Sequence, residues 1–198
     1  MRLLCYASIF SCLLLFGCAS NSAEKNADWY FQIAAPKNYD IWVEHLEFEL
    51  SGDRHWYHPV GGVSCCWRGP SGPTGVLGGM EPFPNYIGVQ WFSFAEKKFY
   101  QRLISVSPDW KLRMADQAKY ITPMGTHYGP RNILALGFAP GGIIVVWIKN
   151  QIGNEIEIAR LQANEIEGDA SVYKTRVSDY MERSGEYLET HGIPLEGW

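Results

Sequence analysis

Ala139-Pro140-Gly141-Gly142, followed at once by Ile143-Ile144-Val145-Val146-Trp147-Ile148, restricts the fold of this chain more than any other segment. Proline holds φ at about −65° and glycine admits positive φ, so the four residues favour a tight reversal after Asn132 to Phe138. The run that follows is rich in β-branched residues and has no polar alternation. A strand of that kind is buried on both faces, so it belongs near the centre of a sheet, and something must cover each face. An antiparallel hairpin at the heart of a sheet is the expectation.

Other segments supply neighbours for that hairpin. Trp29 to Ala34 reads as a first strand stopped at Pro36, and Tyr39 to Leu50 as a second. In the second, Tyr39, Ile41 and Val43 alternate on one parity and Leu46, Phe48 and Leu50 on the other. A bulge near Glu44 and His45 would keep one face buried. Trp56 to Trp67 reads as one or two short strands broken at Pro59 and Gly61-Gly62. Tyr86 to Phe94 and Phe99 to Val106 form a hairpin through Ala95-Glu96-Lys97-Lys98. Glu155 to Ile166 has both strand and helix character, and the strand reading gives the 143–148 run a hairpin partner.

Two segments read as helix. Ser107-Pro108 is an N-cap with proline in the favoured first turn, and Trp110, Met114, Ala118 and Ile121 then share a face, predicting a short helix near 108–121. From Ser171 to His191, Tyr173, Val177, Tyr180, Met181, Tyr187 and Leu188 fall within a stripe ~120° wide, and Gly192 and Pro194 end the pattern. Pro123, Gly125 and Gly129-Pro130 mark a loop that carries His127. The resulting fold class is α+β: a mostly antiparallel β-sheet of about six to nine strands, with the long C-terminal helix packed on one face. The many aromatic residues, 14 % of the chain, suit a core of that kind.

Between Arg68 and Asn85 stand five glycines and four prolines, which excludes a long helix or a central strand. A loop of this length in a compact domain is often functional. Val76, Leu77, Met80 and Phe83 within it are candidates for a binding loop; equally, they cap the core.

At the N-terminus, Arg2 precedes an apolar stretch from Leu3 to Phe16, and Gly17 precedes Cys18. This stretch is shorter than the ~20 residues of a membrane span. It has the parts of a cleavable targeting signal. The pattern resembles a bacterial lipoprotein signal, which implies removal of 1–17, acylation of Cys18, and a covalent lipid as the chain's one attached group. Ala19 and Ser20 are not an inner-membrane retention signal by that resemblance, which implies the outer membrane, with the domain facing the periplasm. Residues 18–28 are small, polar or charged and read as a flexible tether, leaving 29–198 as a single domain.

Removing the signal takes Arg2 and no acidic residue, so the formal charge goes from −4 to −5. No basic stripe is present to neutralise phosphates, which argues against nucleic acid as a partner. Of the five cysteines, Cys5 and Cys12 leave with the signal and Cys18 takes lipid. Cys65 and Cys66 remain. They are a vicinal disulfide, two buried thiols, or members of a metal or redox site.

His55 and His58 lie just upstream of that pair and complete the only cluster of zinc- or copper-type ligands in the sequence, although adjacent cysteines reach one ion poorly. No Gly-x-Ser-x-Gly elbow, His-Glu-x-x-His pair or phosphate-binding loop occurs, so no catalytic residue is nominated. Glu155, Glu157, Glu165, Glu167 and Asp169 form an acidic run that attracts a basic partner or is simply a solvated face. Tyr187 and Trp198, near the end, are contacts or core.

Cys18, Pro59-Val60-Gly61-Gly62, Cys65-Cys66-Trp67, Val89-Gln90-Trp91-Phe92-Ser93, Phe99-Tyr100 and Ala139 to Trp147 together resemble a family of bacterial lipoproteins catalogued as domain of unknown function 2931. The resemblance covers most of the chain after the tether and brings no catalytic residues. The function expected is an outer-membrane-anchored, non-enzymatic module that binds a protein partner in the periplasm, for instance an immunity protein neutralising a toxin. The rival expectations are a metal-binding protein or enzyme centred on His55, His58, Cys65 and Cys66, and a structural envelope lipoprotein.

Overall fold

The computed structural model of the chain describes residues 29–67 and 76–198; the signal, Cys18 and the tether lie outside the described residues. In chain order the first strands are β1 (Trp29–Ala34), β2 (Ile41–Leu50), β3 (Arg54–Tyr57), β4 (Gly61–Val63), β5 (Val76–Met80), β6 (Tyr86–Ser93) and β7 (Lys98–Ser105). Helix α1 (Pro108–Ala115) follows, then β8 (Gln117–Thr122), β9 (Gly125–Pro130), β10 (Ile133–Ala139), β11 (Ile143–Lys149), β12 (Ile156–Gln162) and β13 (Asn164–Ile166). A 3-10 turn at Ala170–Tyr173 leads into helix α2 (Lys174–His191). Among the described residues no helix is long and apolar enough to cross a membrane.

The strands form two sheets and a separate hairpin. The first sheet has the order β12-β11-β10-β1-β5, the second β13-β7-β6-β2-β3 with β4 also on β2, and β8 pairs only with β9. Among the described residues all pairings are antiparallel except β1 with β10. The sheets share one core. Phe31 and Ile33 of β1, Leu134, Leu136 and Phe138 of β10, and Ile144, Val146 and Ile148 of β11 face Val43, Leu46, Phe48, Ile87, Val89 and Trp91 of the second sheet. Trp91 meets Phe138 at 4.8 Å and Phe31 meets Phe48 at the same distance. Each fully buried side chain of this size contributes about 1.5–3 kcal/mol.

As its unbroken apolar run requires, β11 is buried on both sides. Inward it meets the shared core; outward, Val145 and Trp147 pack with Ala135 and Trp67. On the second sheet α2 covers the outer face, where Tyr173 stacks on Phe92 at 4.5 Å and Tyr180 lies against Phe94. Three tyrosine hydroxyls fasten this layer. Tyr180 donates to the Asn38 carbonyl (2.6 Å), Tyr173 to Glu44 (2.6 Å) and Tyr39 to the Gly192 carbonyl (3.1 Å). The register shift in β2 falls between Val43 and His45, where the change of parity placed it.

Three expectations need correction. Helix α1 stops at Ala115 instead of running to 121, because Asp116 is extended and Gln117–Thr122 form β8. Ala118 and Ile121 fit the helical spacing, but Tyr120, Ile121 and Thr122 are strand formers and pair with β9. The loop expected around His127 is therefore β9. Part of the glycine-rich loop, Val76–Met80, is a strand as well; it runs at the edge of the first sheet, where glycine is tolerated, and Pro82 and Pro84 fall beyond it.

Candidate functional site

The structure does not bring the four metal-ligand candidates together. His55 pairs with Glu49 on β2 and Val63 pairs with Ile41, so 49 − 41 = 8 residues of strand separate the two registers. At ~3.3 Å per residue that is roughly 26 Å. His55 instead donates its Nε2–H to Glu47 Oε2 (3.0 Å), an oxygen that also accepts from His45 (2.8 Å). These two bonds, His45 first, hold the Glu47 carboxyl below its ordinary value. The His58 ring meets the edge of Phe48, and burial, helped by the Arg54 charge, pushes its pKa down. Cys65 and Cys66 are joined to each other as a disulfide across a cis peptide bond. Among the described residues no group of three or more His, Cys, Asp or Glu side chains is placed to hold a metal ion.

The binding-loop candidates also separate. The side chains of Val76 and Leu77 lie outside the described residues. Met80 is buried in the shared core, and Phe83 packs edge-on against Trp29 at 5.0 Å. Met80 and Phe83 therefore do the work of a core cap.

A different constellation lies on the outer face of the first sheet. Immediately after the Cys65–Cys66 disulfide, the Trp67 ring stands edge-on to Trp147 of β11 (4.9 Å) and to Trp198 (5.8 Å). With Glu155, Glu157 and Arg160 these three tryptophans line a cleft of about 300 Å³. Arg160 grips Glu157 with two bonds, Nε to Oε1 (3.0 Å) and Nη2 to Oε2 (2.8 Å), and its Nη1 donates to the Trp198 carbonyl. Trp198 is itself placed by Tyr39, 5.2 Å away, and by a bond from its Nε1–H to the Pro194 carbonyl (3.0 Å). Its neighbour Leu195 lies over Gly141, whose φ of +76° and close approach to the Leu195 carbonyl both require glycine.

The local sequence explains why two indoles fit on this face. Gly137 of β10 lies beneath them, and any Cβ there would be 2.5 Å from Trp147 and 2.7 Å from Trp67. The acidic run is divided between the sheets. Glu157 is paired with Arg160 at the cleft, Glu165 with Lys98 on the second sheet (2.8 Å), and Asp169 caps the turn before α2. The sequence contained the clue to this site in the tryptophans that close Cys65-Cys66-Trp67 and Ile143 to Trp147, but spacing alone does not show that these motifs meet.

Two of the segments on this face, Cys65-Cys66-Trp67 and Ala139 to Trp147, are among those that carry the family resemblance. The chain belongs to the DUF2931 family. The family model, described as a protein of unknown function, matches residues 18–196. No curated protein and no solved structure matches the chain. For this DUF2931 protein the cleft is accordingly defined by its own geometry: aromatic walls, a fixed Arg–Glu fork and a second carboxylate at the rim. Such a lining can sandwich a planar or aliphatic group and hydrogen-bond its polar end.

Proposed function

We propose that this DUF2931 protein is an outer-membrane lipoprotein, anchored through Cys18 and facing the periplasm, that acts as a non-enzymatic protein-binding module. Its concrete form is an immunity protein that neutralises a toxin active in the periplasm. The observation that carries the reading is the Trp67–Trp147–Trp198 cleft with its Arg160–Glu157 fork. Tryptophan and arginine dominate the energetics of protein interfaces. At about 300 Å³ the cleft is at the small end of ligand pockets, ~300–1,000 Å³, and suits one inserted side chain of a partner. With Glu157 held by Arg160, the rim offers a partner a fixed polar edge for hydrogen bonding.

The test is affinity capture of the full chain from envelope extracts, in parallel with a Trp67→Ala variant whose circular dichroism matches the parent. The expected result is a discrete protein retained by the parent and depleted at least tenfold by the variant, the loss of a hot spot of ≥ ~1.4 kcal/mol. Capture of the same protein by both, or of no specific protein, counts against the reading.

A further inference from the structure

The β8–β9 hairpin belongs to neither sandwich sheet, and a lone hairpin is marginally stable in water. Side chains of the turn after β11 brace it. Asn150 Nδ2 donates to the carbonyls of Ala118 (3.3 Å) and Gly129 (2.9 Å), and Asn154 Nδ2 to that of Lys119 (2.8 Å). The Gln151 amide takes the place of a third strand, accepting from Ile121 N (2.9 Å) and donating to Ile121 O (2.7 Å). The braced projection exposes large apolar side chains among polar ones: Met124 at its tip is 92 % accessible, Tyr128 68 % and Ile121 59 %, and Ile152 of the bracing turn is 53 %. Ile121 and Tyr128 share one face with Lys119, since Ile121 pairs with Thr126 and Lys119 with Tyr128. Single exposed apolar residues are ordinary, whereas four on one braced projection mark a contact surface.

Two observations name what covers it. The first is where the tether enters the domain. Tyr30 N donates to the Asn132 carbonyl (2.8 Å), just after β9 ends at Pro130, so β1 begins at the foot of the hairpin. Ten residues, Ala19 to Asp28, separate Cys18 from Trp29, a reach of at most ~35 Å. A lipid on Cys18 thus keeps this end of the domain within ~35 Å of the bilayer. The second is charge. The chain carries −4 in total, yet no acidic residue occurs from Gln117 to Asn154, where Lys119 is exposed and Arg131 half-buried.

We infer that the β8–β9 hairpin is a membrane-contact foot that seats in the anionic lipid surface holding the Cys18 acyl chains. Met124 and Ile121 enter the interfacial layer, Tyr128 lies at headgroup level, and Lys119 extends its ammonium to lipid phosphates. The inference rests on the lipid-anchor reading above. It fixes an orientation: the Ala139–Gly142 reversal points away from the bilayer, and the tryptophan cleft opens along the side of the domain.

The test uses the full, lipid-bearing chain with a polarity-sensitive dye on Met124→Cys, mixed with vesicles of phosphatidylethanolamine containing a minority of phosphatidylglycerol. A second protein carries the dye on Glu189→Cys, near the end of α2 at the opposite pole. The expected result is sedimentation of both proteins with the vesicles, a blue shift and quenching by lipid-borne quencher at position 124 only, and a several-fold smaller shift when Ile121→Asp is added. Sedimentation with the dye at 124 still in water overturns the foot while leaving the anchor intact. A shift at 124 that appears only on adding envelope proteins overturns it in favour of a protein occupant. Failure of the full chain to sediment overturns the anchor reading, and the foot with it.

Discussion

Single atoms decide whether the cleft exists. A methyl group on Gly137 would lie 2.5 Å from Trp147 and 2.7 Å from Trp67, and these rings are themselves packed together. Gly137→Ala is expected to cost about 1–3 kcal/mol, read as a lower denaturant midpoint, and to change the near-UV circular dichroism of the indoles. Tyr180→Phe is expected to cost about 1 kcal/mol, because the Asn38 carbonyl loses its bond to a buried hydroxyl. Two groups set a pH dependence. Burial lowers the His58 pKa below its ordinary 6.5, so the unfolded chain binds the proton more tightly and stability is lost as pH falls from about 6.5 toward the folded value. Glu47 is held below its ordinary 4.5 by His45 and His55, so its contribution is present above about pH 4.5 and is lost as pH falls through the folded value. Urea midpoints measured from neutral pH downward should therefore decline in both windows, and His58→Gln should flatten only the upper one. None of these roles was visible in sequence: Gly137 reads as any strand glycine until the partner rings are placed above it.

Elements differed in legibility for physical reasons. Hairpins whose strands alternate clearly, or whose reversal carries Pro-Gly-Gly, were legible to within a residue or two: β6–β7 and β10–β11 lie where pattern put them. Helix α2 was legible from its apolar stripe, although Ser184 and Gly185 are buried and Met181 is partly exposed, so its contact face is rotated from the one hydrophobicity suggests. Segment 117–130 was not legible. Its apolar residues point into solvent and its strands are held by Asn150, Gln151 and Asn154, whose sequence distance of 21–35 residues hides the support. Asn150→Ala removes two of those bonds, worth about 1 kcal/mol each. Amide exchange across Gln117–Pro130 should accelerate about tenfold or more while β10 and β11 amides keep their protection.

At the scale of the whole molecule, the sequence required a cover for each face of the 143–148 strand, and the structure supplies the second sheet on one side and the Cys65-Cys66-Trp67 segment on the other. That second cover turns a packing requirement into a site, since Trp67 both shields Trp147 and walls the cleft. His55 and the Cys65–Cys66 pair, the rival metal-ligand set, lie apart because β3 and β4 pair with opposite ends of β2, a separation that closeness in sequence conceals. What remains is a DUF2931 domain with α2 on one flank and the cleft on the other. The central claim is that this cleft seats a protein partner in the envelope. Photo-crosslinking in living cells, with a photoreactive residue at Glu155 beside the cleft and at Glu189 on α2, the helix that packs on the second sheet, tests it most directly. The expected result is a crosslink to one discrete protein from position 155, abolished by Trp67→Ala, and none from position 189. No discrete crosslink from position 155, or equal crosslinking from both, would contradict it.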